Sequence, residues 1–219
     1  MKIFILLTLI FLTSCSSLTL NNIAPGYKEA FTSIKSLIIV NKENKDITKD
    51  LIDKIPYASS LISVGKGKNA LMILESSLDG EYTWVTQDGV FIVIRDGKII
   101  QTAGLKNNLI DLVSPKVDYQ SLKTNDSFTY LKYLSYDKPS LNNLKIKTTI
   151  TLRDKTKVSL FMQEKELFLI EERIENDYIG WSELNKYWVD KDFYVWKSIQ
   201  HISPKLPPFY IEITKKPAE

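Results

Sequence analysis

The sequence feature that most constrains the fold of this chain is a set of three Asp-Gly pairs, at positions 79–80, 88–89 and 96–97. Asp-Gly accepts the positive φ angles that the tightest turns between antiparallel strands require. Short runs rich in β-branched, aliphatic and aromatic residues separate the pairs. Together they predict a four-stranded antiparallel meander over residues 70–104, preceded by a further strand at 59–64.

Strand-like runs resume after a predicted loop at 107–124, which contains Pro115. They lie at 127–134, 144–152, 157–163, 166–174, 186–189, 193–201 and 209–214. Residues 153–156 are interpreted as a hairpin turn, and Trp181–Asn185 as a short helical or irregular piece. About ten strands in one domain predict a mainly β fold, a curved antiparallel sheet that forms a sandwich or a half-open barrel, because large sheets twist and curl.

Two or three short helices are expected beside this sheet. The spacing of Tyr27, Phe31 and Ile34 is typical of an amphipathic helix. A second helix is predicted at Thr48–Lys54, ending before Pro56 because proline cannot continue a helix.

The first fifteen residues predict a lipoprotein signal. Lys2 precedes an uncharged, mostly apolar run that ends near Leu12, too short for a membrane-spanning helix, which needs roughly 20 apolar residues. The following Thr-Ser-Cys completes a match to the bacterial lipobox, whose cysteine carries the lipid. We expect residues 1–14 to be a signal peptide, 15–26 the acylated cysteine and its tether, and 27–219 a single domain.

The alternative is an ordinary secretory signal in which Cys15 falls at this place by chance. Cys15 is the only cysteine among 219 residues and closes the apolar run, which favours lipidation. A single cysteine also excludes an internal disulfide, and an acylated one serves neither as nucleophile nor as metal ligand. The expected partner is the membrane, through the lipid on Cys15.

Charge and composition argue against several classes of function. The formal net charge is +3, with basic residues scattered among acidic ones, so the sequence predicts no nucleic-acid partner and calls for no polyanion. His201 is the only histidine, and no serine lies in a G-x-S-x-G elbow. Glycoside hydrolysis by a pair of carboxylates stays an open alternative, but the aspartates at 79, 88, 96, 154 and 190 are explained by the preference of aspartate for turns. We therefore expect no enzyme, no cofactor and no metal.

Aromatic residues are the one compositional hint of binding, with four tryptophans and eleven tyrosines. Large rings fill β cores as well as they stack on ligands, so both interpretations stay open. Trp181, next to Gly180, is expected to be the most exposed tryptophan. The candidate residues for a ligand or partner surface are Tyr57, Trp84, Trp181, Trp188 and Trp196.

Several strings resemble the YjbF/GfcB (YmcC) family of bacterial lipoproteins. They are Pro56-Tyr57-Ala58-Ser59, Trp84, Asp88-Gly89, Gly97-Lys98-Ile99-Ile100, Thr102-Ala103-Gly104-Leu105, Asn108-Leu109, YWVD at 187–190 and VWKSIQHISPKLP at 195–207. With the lipobox, the resemblance extends over nearly the whole chain. It departs at position 98, where many members carry arginine, and over 113–145, which contains no family motif.

The resemblance implies a lipoprotein of the outer membrane, facing the periplasm, made alongside machinery for capsule or exopolysaccharide production. It also implies a half-open barrel and no catalytic activity. Ser16 is not the aspartate that retains lipoproteins in the inner membrane of enteric bacteria. The favoured function is a non-enzymatic accessory of polysaccharide export or assembly with protein partners. The alternatives are a periplasmic carrier or binding module for a lipid or glycan, and a glycan hydrolase or lyase.

Overall fold

The computed structural model describes residues 47–124 and 126–217. An α-helix, α1, spans Lys49–Lys54, and a 3₁₀-helix spans Tyr119–Ser121. The strands are β1 (Ser59–Val64), β2 (Ala70–Leu78), β3 (Glu81–Thr86), β4 (Phe91–Arg95), β5 (Lys98–Ala103), β6 (Leu109–Val113), β7 (Ser127–Tyr136), β8 (Leu141–Ser159), β9 (Glu164–Asn176), β10 (Trp181–Val189), β11 (Val195–Gln200) and β12 (Phe209–Lys215). The predicted signal peptide, Cys15 and the helix predicted from Tyr27 lie outside the described residues.

All twelve strands form one antiparallel sheet in the order β5-β4-β3-β2-β1-β12-β11-β10-β9-β8-β7-β6. Every neighbouring pair runs antiparallel, so odd-numbered strands point one way and even-numbered strands the other. The connections that follow odd-numbered strands therefore lie at one end of the sheet, the upper end. Those that follow even-numbered strands lie at the opposite, lower end.

The sheet is nearly closed into a barrel, because its two edge strands, β5 and β6, contact each other. The hydroxyl of Thr102 on β5 accepts a hydrogen bond of 3.0 Å from the backbone N–H of Leu109 on β6. The Asn108 side chain accepts another, of 2.9 Å, from the N–H of Leu105. The predicted mainly β, curved antiparallel architecture is confirmed, with twelve strands rather than about ten.

Side chains at alternate positions along the strands point inward and fill the barrel interior. The larger buried cluster includes Met72, Trp84, Ile92, Tyr136 and Phe209, each at most 2 % exposed. Full burial of such a side chain contributes roughly 1.5–3 kcal/mol. A second cluster joins Tyr130, Ile150, Leu152, Ile170, Tyr187 and Val189 on β7 to β10.

The predicted meander is confirmed at residues 70–103. Asp79 and Gly80 have φ angles of 51° and 79°, and Asp96 and Gly97 have 50° and 74°, as two-residue hairpin turns require. Helix α1 is also confirmed. The Thr48 hydroxyl caps it by accepting a bond of 3.2 Å from the N–H of Leu51.

Three local predictions are wrong. Residues 153–156 do not turn; β8 continues through a bulge between Arg153 and Lys155, because an antiparallel strand can absorb one extra residue. The turn of this hairpin lies at 160–163 instead. Trp181–Asn185 is neither helical nor irregular but the first half of β10, since Gly180, with φ 64°, completes a tight turn before it. The predicted loop at 107–124 contains β6, a strand too short to stand out by pattern.

None of the helices in the described residues has the length and hydropathy that crossing a membrane would require.

Candidate functional site

A cavity of about 410 Å³ opens at the lower end of the barrel. Five aromatic side chains line it and define what we name the aromatic cleft: Tyr82, Trp84, Phe193, Tyr194 and Trp196. Trp84 is only 2 % exposed and also belongs to the core, whereas the other four are half-buried. Concave sites of this size, mostly apolar with a few polar groups, are typical of small-ligand binding.

The period of two along β-strands explains why these rings converge. Tyr82 and Trp84 lie two residues apart on β3 and share its inner face. Tyr194, the residue before β11, and Trp196 on β11, also two apart, bring a second pair of rings. The rings of Tyr194 and Trp196 meet edge to face, with centroids 5.3 Å apart.

Asp190 holds the β11 wall of the cleft in place. Its Oδ1 accepts hydrogen bonds of 3.0 Å from the backbone N–H groups of Asp192 and Tyr194. Its Oδ2 accepts one of 2.8 Å from the indole Nε1–H of Trp196. The carboxylate therefore orders both the turn and the ring orientation. Phe193, with φ 60°, lies in the same turn.

Charged and hydroxyl groups complete the lining. The ammonium of Lys216, a lining residue, lies 4.7 Å from the centroid of the Tyr194 ring. Outside the lining, the Lys165 ammonium lies 4.1 Å from the centroid of the Trp196 ring. Asp96, Asp192 and Ser198 add oxygen atoms, and Ile94, Ile211 and Ile213 are aliphatic. The cleft thus offers stacking surfaces and hydrogen-bonding groups together, which suits a ligand with both C–H faces and hydroxyl groups.

The β4–β5 turn forms one side of the cleft and is held against β11. The Gln200 amide donates a bond of 3.0 Å to the carbonyl of Gly97 and accepts one of 2.9 Å from the N–H of Ile99. A Cβ at Gly97 would overlap the Val195 side chain. Position 97 therefore requires glycine both for its positive φ and for this close approach.

A second cavity, of about 450 Å³, lies beyond the same turn. Its lining is more polar and includes Arg95, Lys98 and Lys116 together with Asp79 and Asp96. Gly80 and Asp96 line both cavities, so the two open beside each other at the lower end.

A buried cluster of charges lies behind the second cavity, centred on Glu172 of β9, which is fully buried. One carboxylate oxygen, Oε1, accepts bonds from the Lys98 ammonium (2.7 Å) and the Tyr130 hydroxyl (2.9 Å). The other, Oε2, accepts from Lys132 (3.1 Å), Asn185 (2.8 Å) and Tyr187 (3.1 Å). Five donors therefore compensate one buried carboxylate.

The electrostatics of this cluster keep Glu172 ionised. Burial alone would raise the pKa of Glu172, but Lys132 and Lys98 outweigh it and hold that pKa well below its usual range. Burial would lower the pKa of Lys98, but Glu172 reverses this and raises it. Burial lowers the pKa of Lys132 despite Glu172. Burial also raises the pKa values of Tyr130 and Tyr187, so both phenols stay protonated and donate.

The predicted candidate residues do not form one site. Trp84 and Trp196 meet in the aromatic cleft. Trp188 is half-buried on β10, away from the cleft, and Tyr57 is 42 % exposed just before β1. Trp181, expected to be the most exposed tryptophan, is only 7 % exposed, because it packs into the larger core cluster.

His201 makes structural contacts. Its Nδ1 lies 3.1 Å from Asn185 Oδ1, and its Nε2 lies 3.4 Å from Glu183. Burial lowers its pKa, with Glu183 opposing. Among the described residues no serine is hydrogen-bonded to the imidazole, so these contacts do not build a nucleophile–base pair.

Sequence reasoning missed Tyr82, Phe193 and Tyr194 in the cleft and the cluster around Glu172. Tyr82 and Tyr194 each lie two residues before a tryptophan, a spacing that could have been used to find them. Nothing comparable marks Glu172, because the run Ile170–Asn176 contains three glutamates and only one of them is fully buried.

Comparison with known proteins places the chain in a family. Residues 28–215 match the family described as group 4 capsule polysaccharide lipoprotein gfcB, YjbF. The chain belongs to this family. Family members in Escherichia coli (strain K12) include the "uncharacterized lipoprotein YjbF", 23% identical over 172 residues that cover 77% of this chain and 80% of that protein. The "uncharacterized lipoprotein GfcB" is 26% identical over 78 residues, 35% of this chain and 36% of that protein.

The fold of this YjbF-family chain is also found in a solved structure. The crystal structure of the hypothetical lipoprotein YmcC from Escherichia coli (K12) superposes with a TM-score of 0.69 at 17% identity, covering 85% of this chain and 96% of that one. The resemblance stated from sequence motifs is therefore confirmed. The Thr102–Leu105 and Asn108-Leu109 motifs carry the bonds that join the two sheet edges.

Proposed function

We propose that the protein is a lipid-anchored, non-enzymatic accessory of surface polysaccharide export or assembly, which holds a segment of the glycan in the aromatic cleft. The observation that carries this proposal is the convergence of five aromatic rings with oxygen and ammonium groups in one cavity of about 410 Å³. Membership of a capsule polysaccharide lipoprotein family supports the choice of a glycan.

The lining of the cleft favours a glycan over an acyl chain. A carrier for lipid needs a long aliphatic channel, whereas the barrel interior is largely filled by side chains such as Trp84, Tyr136 and Phe209. The cleft itself mixes aromatic rings with Asp96, Asp192 and Lys216. Stacking and hydrogen bonding together recognise a sugar ring, whereas an acyl chain offers no hydrogen-bonding groups to the polar side chains of the lining.

The anchor in this proposal is Cys15, acylated after removal of residues 1–14. Ser16 follows it, so sorting to the outer membrane, with the domain facing the periplasm, is part of the proposal. A Cys15→Ala chain should leave the membrane fraction or persist as uncleaved precursor. If Cys15→Ala were processed and fractionated like the wild type, the anchor would have to be placed elsewhere.

Binding is tested by titrating the purified full chain with oligosaccharides cut from the surface polysaccharide of the producing organism, followed by tryptophan fluorescence and native mass spectrometry. Trp196→Leu should weaken binding at least tenfold, because it removes a stacking surface. Trp188→Leu, a tryptophan outside the cleft, is the matched control and should bind like the wild type. Equal affinity for both variants, or a retained fatty acid in the native mass, would contradict the proposal.

The role in export is tested in cells. Deleting the gene should reduce polysaccharide at the cell surface, and Trp196→Leu should fail to restore it where Trp188→Leu succeeds. An unchanged surface polysaccharide after deletion would remove the main support. The non-enzymatic part is tested separately: polymer incubated with the protein should keep its length, and shortening that disappears in Asp96→Asn or Asp192→Asn would assign a hydrolase or lyase instead.

A further inference from the structure

Four connections at the upper end are joined into one unit by hydrogen bonds. Gly65 after β1 donates a bond of 2.9 Å to the carbonyl of Pro208 before β12. Ser203 in that connection donates to the side chain of Asn107 after β5. Asn107 in turn donates a bond of 2.9 Å to the carbonyl of Lys138 after β7. The loops at 65–69, 104–108, 137–140 and 201–208 thus form a continuous surface, the upper cap.

The upper cap concentrates positive charge. It carries five exposed lysines: Lys66, Lys68, Lys106, Lys138 and Lys205. Its one carboxylate, Asp137, accepts two bonds of 2.7 Å from Asn108, and these contacts hold its pKa low although partial burial would raise it. Four positive charges are therefore in excess on these loops, although the whole chain carries only +3.

None of the five cap lysines lies within 4.0 Å of a carboxylate in the described part of the chain. The interior lysines, Lys98 and Lys132, are by contrast both paired with Glu172. The other two upper connections each add one aspartate, Asp88, which accepts a bond from Thr86, and Asp177. The lysines of the cap are thus available to an external anion.

An exposed aromatic residue lies at the same end. Tyr178, in the turn between β9 and β10, is 95 % exposed, and its neighbour Ile179 is 42 % exposed. Asn176, at the end of β9, donates a bond of 2.7 Å to the carbonyl of Lys145 on β8, the strand that follows Lys138. Lysines, an exposed tyrosine and an exposed isoleucine at one end of the barrel match a bilayer surface, which offers anionic phosphates to lysine and an interfacial layer that tyrosine favours.

We propose that the upper cap is a membrane-docking surface that binds the phosphate headgroups of anionic phospholipids. This goes beyond the glycan role, and it turns the lower end, with the aromatic cleft, away from the bilayer. Each lysine near an anionic surface strengthens binding about fivefold. A tether raises the effective concentration of a weak site, so modest intrinsic affinity is sufficient.

The test uses the full, lipid-anchored chain reconstituted in vesicles. A fluorophore is attached to Ser140→Cys in the cap or to Gln120→Cys at the lower end, and headgroup-nitroxide lipid quenches it at close range. In phosphatidylcholine vesicles containing a quarter phosphatidylglycerol, the label at position 140 should be quenched at least twice as strongly as in phosphatidylcholine alone. This difference should vanish in 0.5 M NaCl, because surface electrostatics are screened. The label at position 120 should respond equally to both lipids.

Two charge-matched variants decide whether the cap is responsible. Changing Lys66, Lys68, Lys106, Lys138 and Lys205 to glutamine should abolish the extra quenching at position 140. The control changes five exposed lysines elsewhere, Lys54, Lys116, Lys123, Lys157 and Lys191, to glutamine and should retain it. Equal loss in both variants would show a net-charge effect only and overturn the proposal.

Two further outcomes would also overturn it. Quenching at position 140 that does not depend on phosphatidylglycerol would exclude headgroup recognition. Binding of fluorescent polygalacturonate that requires the cap lysines, without any vesicle effect, would assign the cap to an acidic glycan instead. A second label found on Cys15 by mass spectrometry would instead show that the anchor is missing, a failure of the proposed function and distinct from a failure of the cap.

Discussion

The two ends of the barrel carry opposite kinds of surface. At the lower end, the side chains of Tyr82, Trp84 and Trp196 turn inward around a cavity, and carboxylates such as Asp190 are tied into the turns. At the upper end, the loops interlock through backbone and amide groups and leave five lysines exposed. Antiparallel connectivity separates the ends, because each end collects every second connection. The lower end can therefore form a cavity lined by aromatic and polar groups, while the upper end keeps an excess of positive charge.

The largest effect on stability is expected from breaking the charge cluster around Glu172, behind the lower end. Glu172→Gln leaves Lys98 and Lys132 buried without their counter-charge, so the free energy of unfolding should fall by about 3–5 kcal/mol. Urea unfolding followed by tryptophan fluorescence measures this. Glu171→Gln, next to it on β9 but paired with Arg153 at the surface, should change stability by less than about 1 kcal/mol. Similar losses for the two would show that the cluster has no special role.

The same cluster predicts that the stability of the fold depends on pH in the acidic range. The pKa of Glu172 is lower in the folded state than in the unfolded chain, so its contribution is complete above about pH 4.3 and is lost as the pH falls toward the folded pKa. The urea midpoint of the wild type should decline below about pH 4.3. Glu172→Gln should show a flatter profile over the same range. Parallel profiles would mean that other carboxylates control acid unfolding.

A smaller effect is expected at the β4–β5 turn between the two cavities. Gly97→Ala places a methyl group against Val195 at a φ of 74°, which should cost about 2–4 kcal/mol of stability. Gly80→Ala has a similar φ of 79° but no atom within 4 Å, so it isolates the backbone part of the loss. Adding Val195→Ala should recover part of the Gly97→Ala loss only. Thermal unfolding of the four chains tests whether the close approach matters.

Breaking the link between the two sheet edges, β5 and β6, should have a comparable or smaller effect on stability. Thr102→Val removes the hydroxyl that pairs the buried N–H of Leu109, so stability should fall by about 1–3 kcal/mol. Amide exchange at Leu109 should accelerate more than exchange in the central strands β1 and β12. Thr129→Val, on the exposed face of β7, is the control. Uniform acceleration across the sheet would indicate global rather than edge loosening.

The smallest effect on stability is expected at the upper cap. Replacing its five lysines with glutamine should change the free energy of unfolding by no more than about 0.5 kcal/mol per site, because the side chains are exposed and pair with no carboxylate in the described residues. Urea unfolding at low and high salt measures it. A large stabilisation at low salt would show that mutual repulsion of the lysines strains the cap.

Much of the fold could be predicted because it rests on local chemistry. Asp79-Gly80 and Asp96-Gly97 occupy turn conformations that few other pairs accept, so the meander followed from the sequence. Thr48 and Pro56 likewise bracket α1. The errors arose where local preference loses to pairing: Asp154 is a turn residue by type, yet the long partner strand β9 keeps β8 extended past it.

The site was less predictable because it depends on which faces meet. Trp84 and Trp196 were both named, but Trp181 and Trp188 have similar sequence surroundings and lie elsewhere. Alternation assigns each tryptophan to one of two faces without showing which face is inside. That choice follows from the curvature of the whole sheet.

The sequence alone determined the meander with its turns at Asp79-Gly80 and Asp96-Gly97, the helix α1, and the family to which the chain belongs, because each of these depends on neighbouring residues or ordered motifs. Only the tertiary structure decided that Glu172 is buried with Lys98 and Lys132, which lie 74 and 40 residues away from it in the chain. The tertiary structure also brings lysines from four separate loops together on the upper cap. In the sequence these lysines are scattered, and the sequence called for no polyanionic partner. Closure of twelve strands brings distant residues together, and charge acts through space rather than along the chain.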